Sequence, residues 1–242
     1  MLDLLIGNVL SYDNNSINWM ATDNPENYKV HCKNLEFKSK WENIDITYIL
    51  NSQGYRCPDW DKIDWKESVV IFGDSSVAGV GVPKNHTISS FLQTTLQRPV
   101  INLGVAGSSN LFSLYNMIRM KTANIKPYAV INVETTPERT LTFCKPETGN
   151  TGLRHWGSWN MKDLYYKRFW LGQKENYDMH NNLIRENKKI LWLDTKYLNY
   201  ELLELPTGVF FSARDNLHFG MDTYAKQAKY IKSDWIKNGW LD

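Results

Sequence analysis

Cysteine is scarce in this chain: three among 242 residues, at Cys32, Cys57 and Cys144. An odd, widely spaced set argues against a disulfide framework or a zinc site, and points to free thiols in a reducing compartment. An excess of one charge is lacking too. Lys and Arg total 28 against 26 Asp and Glu, for a net charge of +2. That balance argues against nucleic acid or an anionic membrane as the main partner. No apolar run approaches the ~20 residues that a bilayer-spanning helix needs. The opening stretch Met1 to Gly7 is apolar but carries Asp3 where an export signal carries basic residues, so no signal peptide is expected. The expected location is cytoplasmic or virion-associated. Internal repeats and low-complexity tracts are missing. The histidines other than His218, namely His31, His86, His155 and His180, show no ligand spacing and read as structural, with His155 alone placed to approach a site. No metal and no cofactor is expected.

What is abundant is Asn, Lys, Ile and Tyr, a bias common in chains from AT-rich genomes, many phages among them. The length suits one large α/β domain. Residues 1–66 form a polar, aromatic-dotted leader with turn signals at Asp23-Asn24-Pro25 and Cys57-Pro58-Asp59. Ile44 to Leu50 partly alternates and reads as a strand. This leader is too short and too polar to hold its own core, so it is expected to pack as an extension on a main domain spanning 67–242.

From Ser68 onward strands and helices alternate. Val69 to Phe72 is a short continuous apolar run, the signature of a strand buried on both faces. Thr87 is placed to cap a helix whose Ile88, Phe91, Leu92 and Leu96 share a face. Val100 to Leu103 reads as the second strand. Ser108 or Ser109 then caps a helix with Leu111, Leu114, Tyr115 and Ile118 at helical spacing. Val130 to Val133 reads as the third strand, Ile190 to Leu193 as the fourth, and about Asp222 to Ile236 as the last helix. Such alternation implies a parallel sheet covered on both faces, with ligand sites at the C-terminal strand ends.

Two stretches carry chemistry. The first strand runs into Gly73-Asp74-Ser75-Ser76, and near the C-terminus stands Asp215-Asn216-Leu217-His218. A serine hydroxyl is a weak nucleophile unless a base takes its proton and a third group holds that base in one tautomer. Ser75, His218 and Asp215 can fill those roles in that order, with Ser76 as the alternative nucleophile. Asp74 reads as an acceptor for its own loop.

These residues resemble the SGNH/GDSL hydrolase family, whose first block is Gly-Asp-Ser after the first core strand and whose last is Asp-x-x-His before the final helix. The resemblance covers about residues 67–236. It extends to Asn102-Leu103-Gly104-Val105-Ala106-Gly107, which matches the Asn-x-x-x-x-Gly block and puts Gly107 at an oxyanion-donating backbone position. Asn51 to Arg56 looks like a stretch that precedes the first block in some members. The resemblance implies a flavodoxin-like, three-layer α/β/α sandwich with a central parallel sheet. The expected oxyanion and substrate region comprises Gly107, Arg139, Asp74 and Asn110.

One block departs from the pattern. After the third strand the family has Gly-x-Asn-Asp, whose Asn donates to the oxyanion. Here Thr135-Thr136-Pro137-Glu138-Arg139 follows, and the Asn position falls near Pro137, which has no N–H. Losing one such donor typically costs about 2.7–4 kcal/mol. Either Arg139 or Thr136 replaces it, or catalysis is slow or lost. Arg139 serves an oxyanion or an acidic substrate group, or else pairs locally with Glu134 or Glu138.

Thr140 to Lys189 is longer than a crossover needs and carries His155, Trp156, Trp159, Tyr165, Tyr166, Phe169 and Trp170, as a lid, a sugar-stacking wall or core packing. The function expected is a serine esterase or carbohydrate O-deacetylase acting on a small ester or acetylated carbohydrate. The alternatives are an acyltransferase with the same triad, and a catalytically weak or inactive binding or structural module of phage origin.

Overall fold

In the computed structural model of the chain, the described residues are 16–136, 139–144, 152–156, 174–202, 204–206 and 212–241. The core is a parallel sheet of β3 (Val69–Gly73), β4 (Val100–Gly104), β5 (Ala129–Glu134) and β8 (Lys196–Glu201), in the spatial order β4-β3-β5-β8. In core-strand terms this is 2-1-3-4, a flavodoxin-like order. All residues of β3, β4 and β5 are buried, as mostly apolar strands between two helical layers require.

The two faces of the sheet separate by residue parity. Val69, Ile71, Ala129, Ile131 and Val133 pack with α4 (Ile88–Leu96) and α7 (Met221–Lys237), through Leu92, Leu96, Tyr224, Ala228, Ile231 and Trp235. Val70, Phe72 and Val130 pack on the other side with Phe112, Met117 and Met120 of α5 (Asn110–Thr122) and with Trp192, just beyond α6 (Lys174–Leu191). Each fully buried Val, Ile or Phe contributes about 1.5–3 kcal/mol of transfer free energy. This is the parallel sheet covered on both faces that the alternation implied, and with it the expected α/β/α sandwich. Thr87 and Ser109 cap α4 and α5 by accepting from the Ser90 and Phe112 N–H groups.

Three sequence expectations need correcting. Ile190 to Leu193 is not a strand: α6 runs through Leu191, and the fourth core strand is Lys196–Glu201. A short apolar run at a helix end cannot be told from a buried strand by periodicity, and the true strand, with polar positions on an edge, has a weak apolar signal. Of the positions expected on the apolar face of α5, Leu114 is buried but Tyr115 and Ile118 are exposed, and Phe112, Met117 and Met120 complete the buried face. Of Ile44 to Leu50 only β2 (Tyr48–Ile49) pairs, with β1 (Ser16–Ile17), although Ile46, Tyr48 and Leu50 are buried in alternation.

The leader contributes two short helices, α1 (Pro25–His31) and α2 (Leu35–Trp41), each capped by an Asn side chain, Asn24 and Asn34. Its Met20, Trp41, Ile46, Tyr48 and Leu50 join the same apolar cluster as β3 and α7. Within the long insertion, β6 (Thr140–Cys144) and β7 (Gly152–Trp156) form an antiparallel pair. Trp159, Tyr165, Tyr166, Phe169 and Trp170 lie outside the described residues, as do the side chains of His155 and Trp156 and Pro137 with Glu138.

Candidate active site

Strand register brings the chemistry together. Gly73 pairs with Gly104 and Phe72 with Asn132, so β3, β4 and β5 end side by side. Ser75, Gly107 and Thr135 follow those ends. Gly73 is required by close packing: a Cβ there would stand 2.4 Å from the Val77 side chain. At Gly104 it would stand 2.4 Å from the Ala78 backbone nitrogen. These two glycines let α3 (Ser75–Ala78), which opens on Ser75, lie against the sheet.

Asn102 fastens the same turn. Its amide donates to the Val77 carbonyl at 2.7 Å and to Ser89 Oγ at 3.0 Å, and its oxygen accepts from the Gly104 N–H. Below the turn, the Arg56 guanidinium donates to the Gly79 and Val82 carbonyls at 2.7 and 3.0 Å. Burial pushes Arg56 down to about 10, which leaves it charged at neutral pH.

Ser75 Oγ lies 2.7 Å from His218 Nε2, and His218 Nδ1 lies 2.5 Å from Asp215 Oδ2. The carboxylate can only accept, so Nδ1 carries the proton and Nε2 is left to accept the Ser75 hydroxyl. The spacing of Asp215 and His218 serves this geometry. Asp215 Oδ1 accepts from the Leu217 and His218 N–H groups at 3.1 and 3.2 Å. Between them Asn216 adopts φ +53°, a left-handed conformation that Asn tolerates better than most residues. Asp215 has no exposed surface. Burial raises its carboxyl, but hydrogen bonds from His218, Thr22 and Leu217 outweigh that and hold it below the ordinary carboxylate range.

The remaining candidates are placed as follows. Asp74 caps α3 by accepting from the Ser76 N–H at 2.9 Å through Oδ1. Its other oxygen accepts from Thr135 Oγ1 at 2.9 Å and from Arg139 Nη1 at 2.6 Å. Arg139 therefore pairs with Asp74, and not with Glu134, whose carboxylate is held by Arg185. Asn110 clamps the end of β5 by donating to the Thr135 carbonyl and accepting from its N–H at 3.2 and 3.0 Å. Gly107 sits at φ +76°, in the left-handed region open to glycine. Among the described residues, neither the Ser75 N–H nor the Gly107 N–H donates to a protein acceptor.

Beside this group, across Asn110 and Thr135, opens a cavity of about 320 Å³ lined by Glu134, Asp178, Asn181, Arg185 and Glu201 among others. Sequence reasoning missed its α6 wall. It also missed Thr22, Asp23 and Arg214 beside the acid, because these lie outside any motif. No group of three or more His, Cys, Asp or Glu among the described residues could hold a metal ion, and no described helix is long and apolar enough to cross a membrane.

No protein-family model matches the chain, and no curated protein matches it. Similar solved structures include the esterase AlinE4 of the SGNH-hydrolase family, 26% identical over 29% of this chain and 41% of that one, with a TM-score of 0.23. A carbohydrate acetylesterase from Sinorhizobium meliloti is 11% identical over 72% of this chain and 100% of that one, with a TM-score of 0.38. An acetyl xylan esterase from the rumen bacterium Butyrivibrio proteoclasticus is 14% identical over 74% and 66% respectively, with a TM-score of 0.43. The chain thus spans 41% of the length of the first of these. None of them supplies a residue role here.

Proposed function

We propose that this protein is a serine esterase of the SGNH/GDSL type, acting on a small acyl ester through a covalent acyl-enzyme. The observation that carries the reading is the continuous chain from Ser75 Oγ through His218 to Asp215, with contacts of 2.7 and 2.5 Å. In this mechanism Ser75 Oγ attacks the ester carbonyl carbon while His218 Nε2 takes its proton. The carbonyl oxygen becomes an oxyanion, facing the backbone N–H groups of Ser75 and Gly107. When the carbon–oxygen bond breaks, His218 returns the proton to the departing alkoxide. Water then attacks the acyl group with His218 again as base, releasing the acid and restoring Ser75. Asp215 holds the imidazole tautomer and stabilises the imidazolium in both steps.

Two features bear on the departure at the third strand. Arg139 donates from Nη1 to Asp74, and the Asn110 amide donates to the Thr135 carbonyl and to Asn181 Oδ1. With the Asn of the third block missing and these donors already engaged, a modest rate is expected, about 100- to 1,000-fold below that of a site with all its donors.

For substrate, the cavity beside Thr135 presents carboxylate, amide and guanidinium groups, a lining that suits a hydroxyl-bearing leaving group such as an acetylated sugar. Its several carboxylates disfavour anionic esters. Incubation of wild type, Ser75→Ala and His218→Ala with p-nitrophenyl acetate tests the reading. Turnover by wild type and loss of at least 100-fold in both variants is expected. Equal background hydrolysis by three folded proteins would refute it.

A further inference from the structure

Among the described residues, the leader reaches the triad through Thr22. Thr22 Oγ1 donates to Asp215 Oδ2 at 2.6 Å, to the same oxygen that His218 Nδ1 approaches. The donor is 193 residues away in sequence, and the segment that carries it is tightly held. Arg214, the neighbour of Asp215, donates to both carboxylate oxygens of Asp23 at 2.9 and 2.7 Å and to the Asn18 carbonyl at 2.7 Å. Its guanidinium lies 4.1 Å from the centroid of Trp19. Asp23 also accepts from Tyr48 Oη, which in turn accepts from the Gly81 N–H, and the Gly81 carbonyl accepts from the Arg214 N–H. On the other side, Asn27 donates to the Thr22 carbonyl at 2.7 Å. Thr22 is thus fixed from before and after it.

We propose that the segment Asn18 to Asp23 is a working part of the active site, with Thr22 as the positioning residue that holds the Asp215 carboxylate square to the His218 imidazole. This rests on the esterase reading of Ser75, His218 and Asp215. The physical argument is one of restraint. Oδ1 is held by two backbone N–H groups of its own turn. Without Thr22, Oδ2 keeps only the imidazole, and the carboxylate can swing about the axis that His218 needs fixed. Asp215 is fully buried, so no water replaces the lost donor at low cost. The charged and titratable groups around the pair are Asp23 with Arg214, Tyr48, Arg56, Asp74 with Arg139, Tyr224, and His31 beyond Asn216. Thr22 is uncharged, so its substitution leaves that electrostatic surround in place.

The experiment compares wild type, Thr22→Val and Thr22→Ser. It reads kcat and KM for p-nitrophenyl acetate, and the downfield proton resonance of the His218 Nδ1–H by NMR. Thr22→Val is expected to lower kcat roughly tenfold with KM unchanged, and to shift or broaden the imidazole proton. Thr22→Ser, which keeps the hydroxyl, restores both. Wild-type kcat together with an unmoved proton resonance in Thr22→Val would overturn the proposal. If the valine variant misfolds, Thr22→Ala repeats both measurements without added bulk at the branch. If wild type itself shows no Ser75-dependent turnover, the esterase reading fails on its own, and the proton resonance still decides whether Thr22 holds the Asp215–His218 pair.

Discussion

Lys188 is the residue where folding and titration meet most sharply. It has no exposed surface, and its ammonium donates to Asn132 Oδ1 at 3.2 Å, between α6 and β5. Burial pushes it down to about 7, against the upward pull of Glu134 and with a further push from Arg185. Between pH 7 and the ordinary lysine value of 10.5, the unfolded chain holds the proton and the folded one does not. The unfolded state then binds more protons, so stability rises with pH across that window. The unfolding free energy from urea titrations should therefore increase from pH 7 to pH 9.5, by a few kcal/mol at most, carrying the midpoint up with it, and Lys188→Met should flatten the rise. A wild-type midpoint that is flat over this range would contradict the assignment. Glu134 behaves in the opposite sense. Burial raises its carboxyl, but Arg185 and Asn199 outweigh that and hold it below the ordinary range. Its contribution is present above the ordinary carboxylate range and is lost as pH falls through its folded value.

At the scale of elements, the join between β4 and α3 sets the position of Ser75. Gly104→Ala would drive a Cβ to within 2.4 Å of the Ala78 nitrogen and 2.8 Å of the Val77 carbonyl carbon, both of them backbone. The helix must move, at a cost of about 1–3 kcal/mol, and Ser75 moves with it. A lower melting temperature and a drop in esterase turnover are expected together. A variant that loses neither would show that α3 tolerates displacement. These elements were readable from sequence where burial is two-sided: β3 is a continuous apolar run, β4 and β5 are mostly apolar, and the caps at Thr87 and Ser109 are local chemistry. Reading failed where burial is one-sided or borrowed. β8 is an edge strand with polar alternates, and α5 buries two methionines and a phenylalanine while leaving Tyr115 and Ile118 exposed.

Taken whole, the molecule assembles its candidate site from both ends of the chain. Ser75 and Asp215 with His218 were legible because a strand-to-helix turn and an Asp-x-x-His spacing each leave a local signature. The pairing of Arg139 with Asp74 was not, since Asp74 lies 65 residues away and sequence proximity pointed to Glu134, which Arg185 holds, or to Glu138, which lies outside the described residues. Thr22 had no signature at all: a single hydroxyl in a polar leader becomes meaningful only when Arg214 and Asp23 dock that leader beside Asp215. The central claim is that Ser75 is an activated nucleophile. Intact-mass analysis after incubation with a serine-reactive fluorophosphonate tests it most directly. The account predicts one adduct per chain, mapped to Ser75, absent from Ser75→Ala and strongly slowed in His218→Ala. A folded wild-type protein that takes up no adduct, or takes it up elsewhere, would contradict it.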